Sequence, residues 1–375
     1  NFMKKININI QKKNENYSLF IGSDLLRLLP RKLKSISPKG EKVAIIYDKN
    51  VPIRFKSKAY KILKKFKRIK ISINPNEKNK SIDTVNKILN ILFKNNFNRN
   101  DFIISIGGGI TGDMVAFTAS IFKRGINFIN VPSTFLAQVD SSLGGKTGVN
   151  NQFGKNLIGT FYQPKIVIID KNFLKSLKKK DFLCGYAEIL KHSIIHDKKF
   201  FYWLEKNSKK ILLYKDTKAI AKAIDWSCKI KRYYVVKDHN EKDFRKILNF
   251  GHTVAHAIEA GRNYSNFTGH GEAVLIGMIL ETQLSYRKKI CSIETLKRIQ
   301  KIYLDNNLKK YLKLDFFFKD IKKTIKFMEN DKKNDDNRIN FILLKDIGKT
   351  TLPGKIKFEK KDLIKEFNKL KNFNF

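Results

Sequence analysis

The sequence predicts an N-terminal α/β domain built on a parallel sheet, followed by a helical C-terminal domain, with the change near residues 177–178. Three observations carry this. Short β-rich runs alternate with helical spacing through the first half, a glycine-rich turn succeeds one of those runs directly, and most of the second half has the periodicity of amphipathic helix.

Lys42 to Tyr47 (KVAIIY), Asp101 to Ile106 (DFIISI), Phe128 to Val131 (FINV) and Ile166 to Ile169 (IVII) are short apolar, β-branched runs bounded by polar residues, as buried strands are. Between the first two, Ile82, Val85, Ile88, Leu89 and Leu92 recur at helical spacing over Ile82 to Phe93. This βαβ rhythm implies a parallel sheet with helices on its faces. Helical periodicity then marks Tyr186 to His196, Thr217 to Lys237, Leu248 to Ala260, Ala273 to Tyr286 and Ile293 to Leu304, with one β-like stretch at Ile339 to Leu344.

Composition bounds the function. The chain has 375 residues, 42% of them hydrophobic, enough for a buried core in each of two domains. It contains no uncharged apolar run of about 18 residues, so no membrane span is expected. Asn1 to Ile10 lacks the apolar core of a secretory signal. Cys184, Cys228 and Cys291 are far apart and form no CxxC, which favours a reducing cytoplasm over a disulfide framework. The formal net charge of +43 suggests a nucleic-acid partner, but Lys and Asn occupy solvent-type positions throughout rather than one patch. No RNA- or DNA-binding signature is interleaved with them, so no nucleic-acid partner is expected. A small anionic substrate fits the charge.

Phe102 to Asp113 reads FIISIGGGITGD, a buried strand running into Gly107, Gly108, Gly109, Gly112 and Asp113. Glycines let backbone N–H groups approach a pyrophosphate, and a helix N-terminus favours anions. The spacing differs from the GxGxxG fingerprint, and Asp113 either holds a cofactor hydroxyl or caps the helix. Residues 123–160 place Arg124, Asp140, Lys146, Lys155 and Asn156 among glycines and hydroxyls, and read as a loop system that grips an anion.

Three of the six histidines fall between 252 and 270. His252 and His256 share one face of the expected helix, His270 opens HGEAV, and Glu188 in GYAEILKH has Lys191 one turn beyond it. A catalytic zinc site needs about three His or carboxylate ligands and an open position. Two sets meet that need: Glu188, His252 and His270, or Glu188 with His252 and His256. Spacing alone leaves both open, and the absence of HExxH argues against a metalloprotease.

The stretches GGGITGD, RGINFINVPSTFLAQVDSSLGGKTGVN, GKNLIGTFYQP, GYAEILKH, FRKILNFGHTVAHAIE and HGEAV, in this order, resemble the 3-dehydroquinate synthase family of sugar phosphate cyclases. The resemblance runs from about residue 40 to 350. It implies a Rossmann-like NAD-binding domain over 1–177, a helical zinc- and substrate-binding domain over 178–375, and an active site in the cleft between them. It also implies a cytoplasmic homodimer with NAD and one zinc or cobalt ion per subunit. Carried over by residue, the metal ligands are Glu188, His252 and His270. The NAD site is Pro75, Asn76, Glu77, Lys78, Asn79 and Lys80; Gly109, Ile110, Thr111, Gly112 and Asp113; Ser133, Thr134, Lys146 and Lys155; and Phe173, Leu174, Lys175 and Ser176. Lys146, Lys191, Arg245 and His256 take catalytic roles. Arg124, Asp140, Asn156, Lys231, Asn249 and Lys332 (or its neighbour Lys333) bind substrate.

The reaction so implied converts 3-deoxy-D-arabino-heptulosonate 7-phosphate to 3-dehydroquinate and phosphate, making the chain a phosphorus–oxygen lyase of aromatic amino acid biosynthesis. It runs through transient oxidation by NAD, β-elimination of phosphate, reduction and aldol closure, with no net redox change. Asn76 stands where the family has glycine, which would matter if the position required φ > 0. Ser133 replaces a threonine, and Lys242–Asp243 replace small residues. Another sugar phosphate cyclase, or a metal-dependent polyol dehydrogenase, would share much of this pattern. So would a basic nucleic-acid-binding protein that kept an inactive enzyme fold, although the intact ionisable set argues against it.

Overall fold

The computed structural model describes residues 3–10, 15–261, 269–329 and 338–371. It divides into two compact units, Asn1–Lys178 with Lys231–Asn240, and Lys179–Ile230 with Glu241–Phe375.

The first unit runs β1 (Lys4–Ile8), β2 (Tyr17–Gly22), α1 (Leu29–Ile36), β3 (Lys42–Asp48), α2 (Ile53–Ile62), β4 (Lys67–Ile73), α3 (Ile82–Lys94) and β5 (Phe102–Gly107). It continues with α4 (Gly109–Ile121), β6 (Asn127–Pro132), β7 (Lys146–Asn151), β8 (Gly154–Phe161) and β9 (Ile166–Asp170). The seven-stranded sheet has the order β1-β2-β9-β6-β5-β3-β4. β1 is antiparallel to β2, and every other neighbouring pair is parallel.

Alternate residues of β3, β5 and β6 feed two cores. Phe102, Ile104 and Ile106 of β5 join Leu29, Leu33, Phe55 and Ala59 of α1 and α2 on one face. Ile103 turns to the other face with Val85, Ile88 and Leu92 of α3 and Met114 and Val115 of α4. Burial on both faces explains the continuous Ile/Val runs. The winding reverses at β3, with β4 on one side and β5 on the other. In doubly wound sheets that reversal opens a ligand crevice at the carboxyl ends of the strands.

Helix α4 starts at Gly109, five residues before the helical stretch expected at Met114. Gly112 and Asp113 are therefore inside the helix, and Asp113 is not its cap. Residues 123–160 are also more regular than the expected loop system. They form β6, a π-helical turn at Ala137–Ser141, and the antiparallel hairpin β7–β8. Lys146 and Lys155 ride on the hairpin's two strands, which fixes their direction more firmly than a loop would, whereas Lys123 and Arg124 stand in a positive-φ turn before β6.

The second unit contains α5 (Lys179–His196), α6 (Lys198–Leu212) and most of α7 (Thr217–Lys237), then α8 (His252–Gly261), α9 (His270–Arg287) and α10 (Ile293–Asp305). Beyond them lie α11 (Leu314–Lys319), α12 (Ile321–Glu329), β10 (Ile339–Phe341), β11 (Leu344–Asp346), β12 (Lys349–Thr350), β13 (Ile356–Phe358) and α13 (Lys360–Leu370). The helices are thus accompanied by two small antiparallel ribbons, β10–β13 and β11–β12, of which the stretch Ile339 to Leu344 is only part. Helix α9 is buried nearly all round from Ala273 to Ser285 and packs against both α5 and α8. That explains why its sequence is apolar on every face. The expected helix Leu248 to Ala260 is two elements. A 3-10 turn at Phe244–Asn249 ends before Gly251, whose φ of 79° interrupts the path, and α8 begins at His252. Among the described residues no helix is long and apolar enough to cross a membrane.

Candidate metal centre and cofactor cradle

In the first unit, strand β5 delivers the glycine turn into the first turns of α4. A Cβ on Gly107 would stand 2.6 Å from Thr111 Cβ, so only glycine lets the strand meet the helix this closely. Asp113 points back to Lys80, whose Nζ donates to Asp113 Oδ2 at 2.6 Å and also to Asn156 Oδ1. Lys80 is only 4% exposed. Burial raises the Asp113 carboxyl above the usual range, and the Lys80 ammonium offsets this only in part. Nearby, Glu77 Oε1 pairs with Lys155 Nζ at 2.9 Å, and Glu77 Oε2 accepts from Asn150 Nδ2 at 2.8 Å. These contacts join the segment before α3 to the β7–β8 hairpin. A narrow cleft lined by Gly112, Asp113, Asn130, Ser142, Gly145 and Lys146 lies beside them. Lys231 Nζ donates to Asp140 Oδ1 at 2.6 Å, and this end of α7 belongs to the first unit.

In the second unit, Glu188 on α5 is fully buried. Its Oε1 lies 3.3 Å from His252 Nε2, the first residue of α8, and 3.2 Å from His270 Nε2, the first residue of α9. Ligand atoms of Glu188, His252 and His270 all fall within 4.8 Å of one another. Lys191, one turn along α5, pairs with Glu188 Oε2 and is itself 2% exposed. Burial alone would raise the Glu188 carboxyl, but Lys191 and the two histidines outweigh it and hold it well below the usual value. Burial, helped by Lys191, pushes His252 down to about 4, so this imidazole is neutral. His270 is raised well above the usual value, because its contacts to Glu188 and Glu259 overcome the effect of burial.

These residues fit a divalent cation. Two Nε2 atoms and a carboxylate oxygen converge, and each histidine turns its Nδ1 to an acceptor. His252 Nδ1 is 3.2 Å from the Phe250 carbonyl, and His270 Nδ1 is 3.1 Å from Glu259 Oε1. With the proton on Nδ1, the Nε2 lone pair is free for a metal, the arrangement that orients His ligands in zinc proteins. Of the two ligand sets left open by spacing, His256 is beside His252, with ring centroids 5.4 Å apart, while His270 faces Glu188 directly.

Residues 70–184 match the profile for "3-dehydroquinate synthase N-terminal" and residues 185–334 the profile for "3-dehydroquinate synthase C-terminal". The chain belongs to the 3-dehydroquinate synthase family. A relative called 3-dehydroquinate synthase in Pelagibacter ubique (strain HTCC1062) is 46% identical, with 96% of this chain and 97% of that protein covered. A crystal structure of 2-deoxy-scyllo-inosose synthase with carbaglucose-6-phosphate, NAD+ and Co2+ superposes with a TM-score of 0.87 at 24% identity, covering 97% of this chain and 98% of the other. ValA, the 2-epi-5-epi-valiolone synthase of Streptomyces hygroscopicus subsp. jinggangensis 5008 with NAD+ and Zn2+, gives 0.79 at 21%, covering 94% and 96%. These two solved neighbours share the fold of this 3-dehydroquinate synthase family member.

The remaining candidates are spread over both units. Asn76 is not among the positive-φ residues, and its Oδ1 accepts the Asn79 N–H at 2.7 Å, so glycine is not required there. Pro75 and Lys78 share this surface segment. Ser133 N–H donates to the Gly107 carbonyl at 2.8 Å, and Thr134 Oγ1 accepts from Ala137 N–H at 3.2 Å. Phe173 and Leu174 are core side chains, Phe173 stacking on Phe55 at 4.1 Å, and only Lys175 and Ser176 of that stretch are exposed. Arg124 is exposed at φ 66°, and Asn156 adopts φ 54°. Arg245 is buried with Glu241 Oε2 3.6 Å from its Nε, and Asn249 ends the same 3-10 turn. Lys332 and Lys333 lie outside the described residues. Sequence reasoning misses Glu241, Glu259 and Glu281. Only Glu259 carries a legible signal: it falls seven residues after His252 and three after His256, on the same face of α8.

Proposed function

We propose that this chain is a metal- and NAD-dependent 3-dehydroquinate synthase. In this reading it is a phosphorus–oxygen lyase that converts 3-deoxy-D-arabino-heptulosonate 7-phosphate to 3-dehydroquinate and phosphate. The observation that carries the reading is the convergence of Glu188, His252 and His270 in a chain of this family. A zinc or cobalt ion would supply Lewis acidity toward the substrate's hydroxyls, and NAD would take and return one hydride.

The chain's own residues bind and orient. In the first unit, residues 75–80, 109–113, 133–134 and 173–176 with Lys146 and Lys155 form the NAD site. In this reading Asp113, which accepts a hydrogen bond from Lys80, holds a cofactor hydroxyl. Lys146 and Asn156 offer a cation and an amide to the substrate's phosphate, Arg124 and Asp140 are further substrate-binding residues, and Lys231 serves with Arg245 to grip the substrate's anionic ends. In the second unit, Lys191 and His256 take the phosphate side, while Arg245 and Asn249 hold the substrate's other anionic end. Lys332 joins that group in this reading.

The domain assignment 1–177 for NAD and 178–375 for metal and substrate belongs to the same proposal. So do a homodimer with one ion per subunit and a cytoplasmic location, the last supported by Cys184, Cys228 and Cys291 forming no disulfide with one another.

A panel of sugar phosphates with and without a carboxylate tests the reading. The expected result is phosphate release from the heptulosonate phosphate alone. Preferred turnover of a substrate lacking the carboxylate would assign the chain to another cyclase activity, and net NADH from a polyol would assign it to a dehydrogenase.

A further inference from the structure

His252 is the first residue of α8, so the place where that helix starts decides where the imidazole stands. The opening N–H groups of a helix have no partner within it. Here a carboxylate from another helix meets them. Glu281 on α9 is fully buried. Its Oε2 accepts the Gly251 N–H at 2.6 Å, and its Oε1 accepts the Val254 N–H at 3.4 Å.

The backbone it grips is seated on α9. A Cβ on Gly251, at φ 79°, would lie 2.8 Å from Met278 Cγ, and a Cβ on Gly277 would lie 1.8 Å from the Gly251 carbonyl oxygen. A buried carboxylate is unfavourable unless its hydrogen bonds are met, and an apolar residue would pack this helix pair without that cost. A negative charge at a helix N-terminus also complements the helix dipole. Helix α9 itself begins with His270, about three turns before Glu281.

We propose that Glu281 is a positioning residue for the metal centre: it clamps the start of α8 onto α9 and so sets His252 relative to His270. One helix then governs two of the three ligands. This rests on the reading that Glu188, His252 and His270 hold the ion.

The test uses full-length protein stripped of metal and titrated with cobalt(II). The dissociation constant is read by competition with a chromophoric chelator, and ligand geometry by the visible d–d absorption. Glu281→Ala weakens cobalt binding about 10- to 100-fold and changes the band, the range seen when a residue supporting a metal ligand is removed. Glu281→Gln, which keeps the shape and one acceptor, falls between it and the wild type, and it decides the matter if the alanine variant does not fold. Wild-type affinity and spectrum in a folded Glu281 variant overturn the proposal. A Glu188→Gln protein that binds cobalt with the wild-type band instead overturns the ligand set on which the proposal rests.

Discussion

Glu188 and Lys191 form a buried ion pair one helical turn apart, and the other oxygen of the same carboxylate faces His252 and His270. Burial alone would raise this carboxyl, and the lysine, together with the two histidines, holds it well below its usual value. Glu188→Gln removes the charge and keeps the volume. The expected outcome is loss of bound metal together with loss of activity, read by elemental analysis and by turnover on one preparation. Full retention of both would refute the ligand set.

Lys80→Met tests the cofactor side. Removing one partner of a buried pair leaves the other uncompensated, at about 3–5 kcal/mol for deeply buried pairs. Asp113 keeps 26% exposure, so the lower end of that range is expected. Urea unfolding should show the loss, and NAD titration a weaker complex. An unchanged unfolding midpoint would contradict a structural role for the pair.

Gly107→Ala tests the close passage of β5 over α4. Overpacking of this kind costs about 1–3 kcal/mol and shifts the neighbouring backbone. A lower melting temperature and weaker NAD binding are expected together. A normal melting temperature would mean that Thr111 yields without effect.

The docking of α13 should depend on acid. Glu366 lies 3.1 Å from Arg287 Nε and 3.2 Å from Lys288 Nζ. Burial would raise its carboxyl, but these cations outweigh burial and lower it. A carboxyl lowered on folding contributes stability that is present above its ordinary pKa and is lost as the pH falls through the folded value. Glu366→Gln should therefore be less stable than wild type by about 1 kcal/mol or less near neutrality, given the half-exposed cations. The difference should vanish in acid, as urea unfolding across pH would show. A difference that persists at low pH would contradict this sign.

Legibility in the sequence tracks burial. Strands β3, β5, β6 and β9 are apolar on both faces, and their expected bounds agree with the structure to about a residue. Strand β4 (KRIKISI) escapes because it is a sheet edge with Lys67, Lys70 and Ser72 on its exposed positions. The β7–β8 hairpin reads as loop because its glycines and polar residues sit on a largely exposed ribbon. At the metal centre, spacing shows the His252/His256 face and leaves His270 as an equal alternative, because its approach from another helix is a tertiary fact; only the family resemblance chooses between them. Glu281 is hidden for the same reason, since its carboxylate acts on a helix 30 residues away.

The most direct measurement is phosphate released per 3-dehydroquinate formed by metal-replete enzyme supplied with NAD and 3-deoxy-D-arabino-heptulosonate 7-phosphate, with absorbance of NADH followed in the same cuvette. Equal phosphate and dehydroquinate are expected, with no accumulating NADH. Absence of phosphate release from enzyme of confirmed metal content would contradict the assignment.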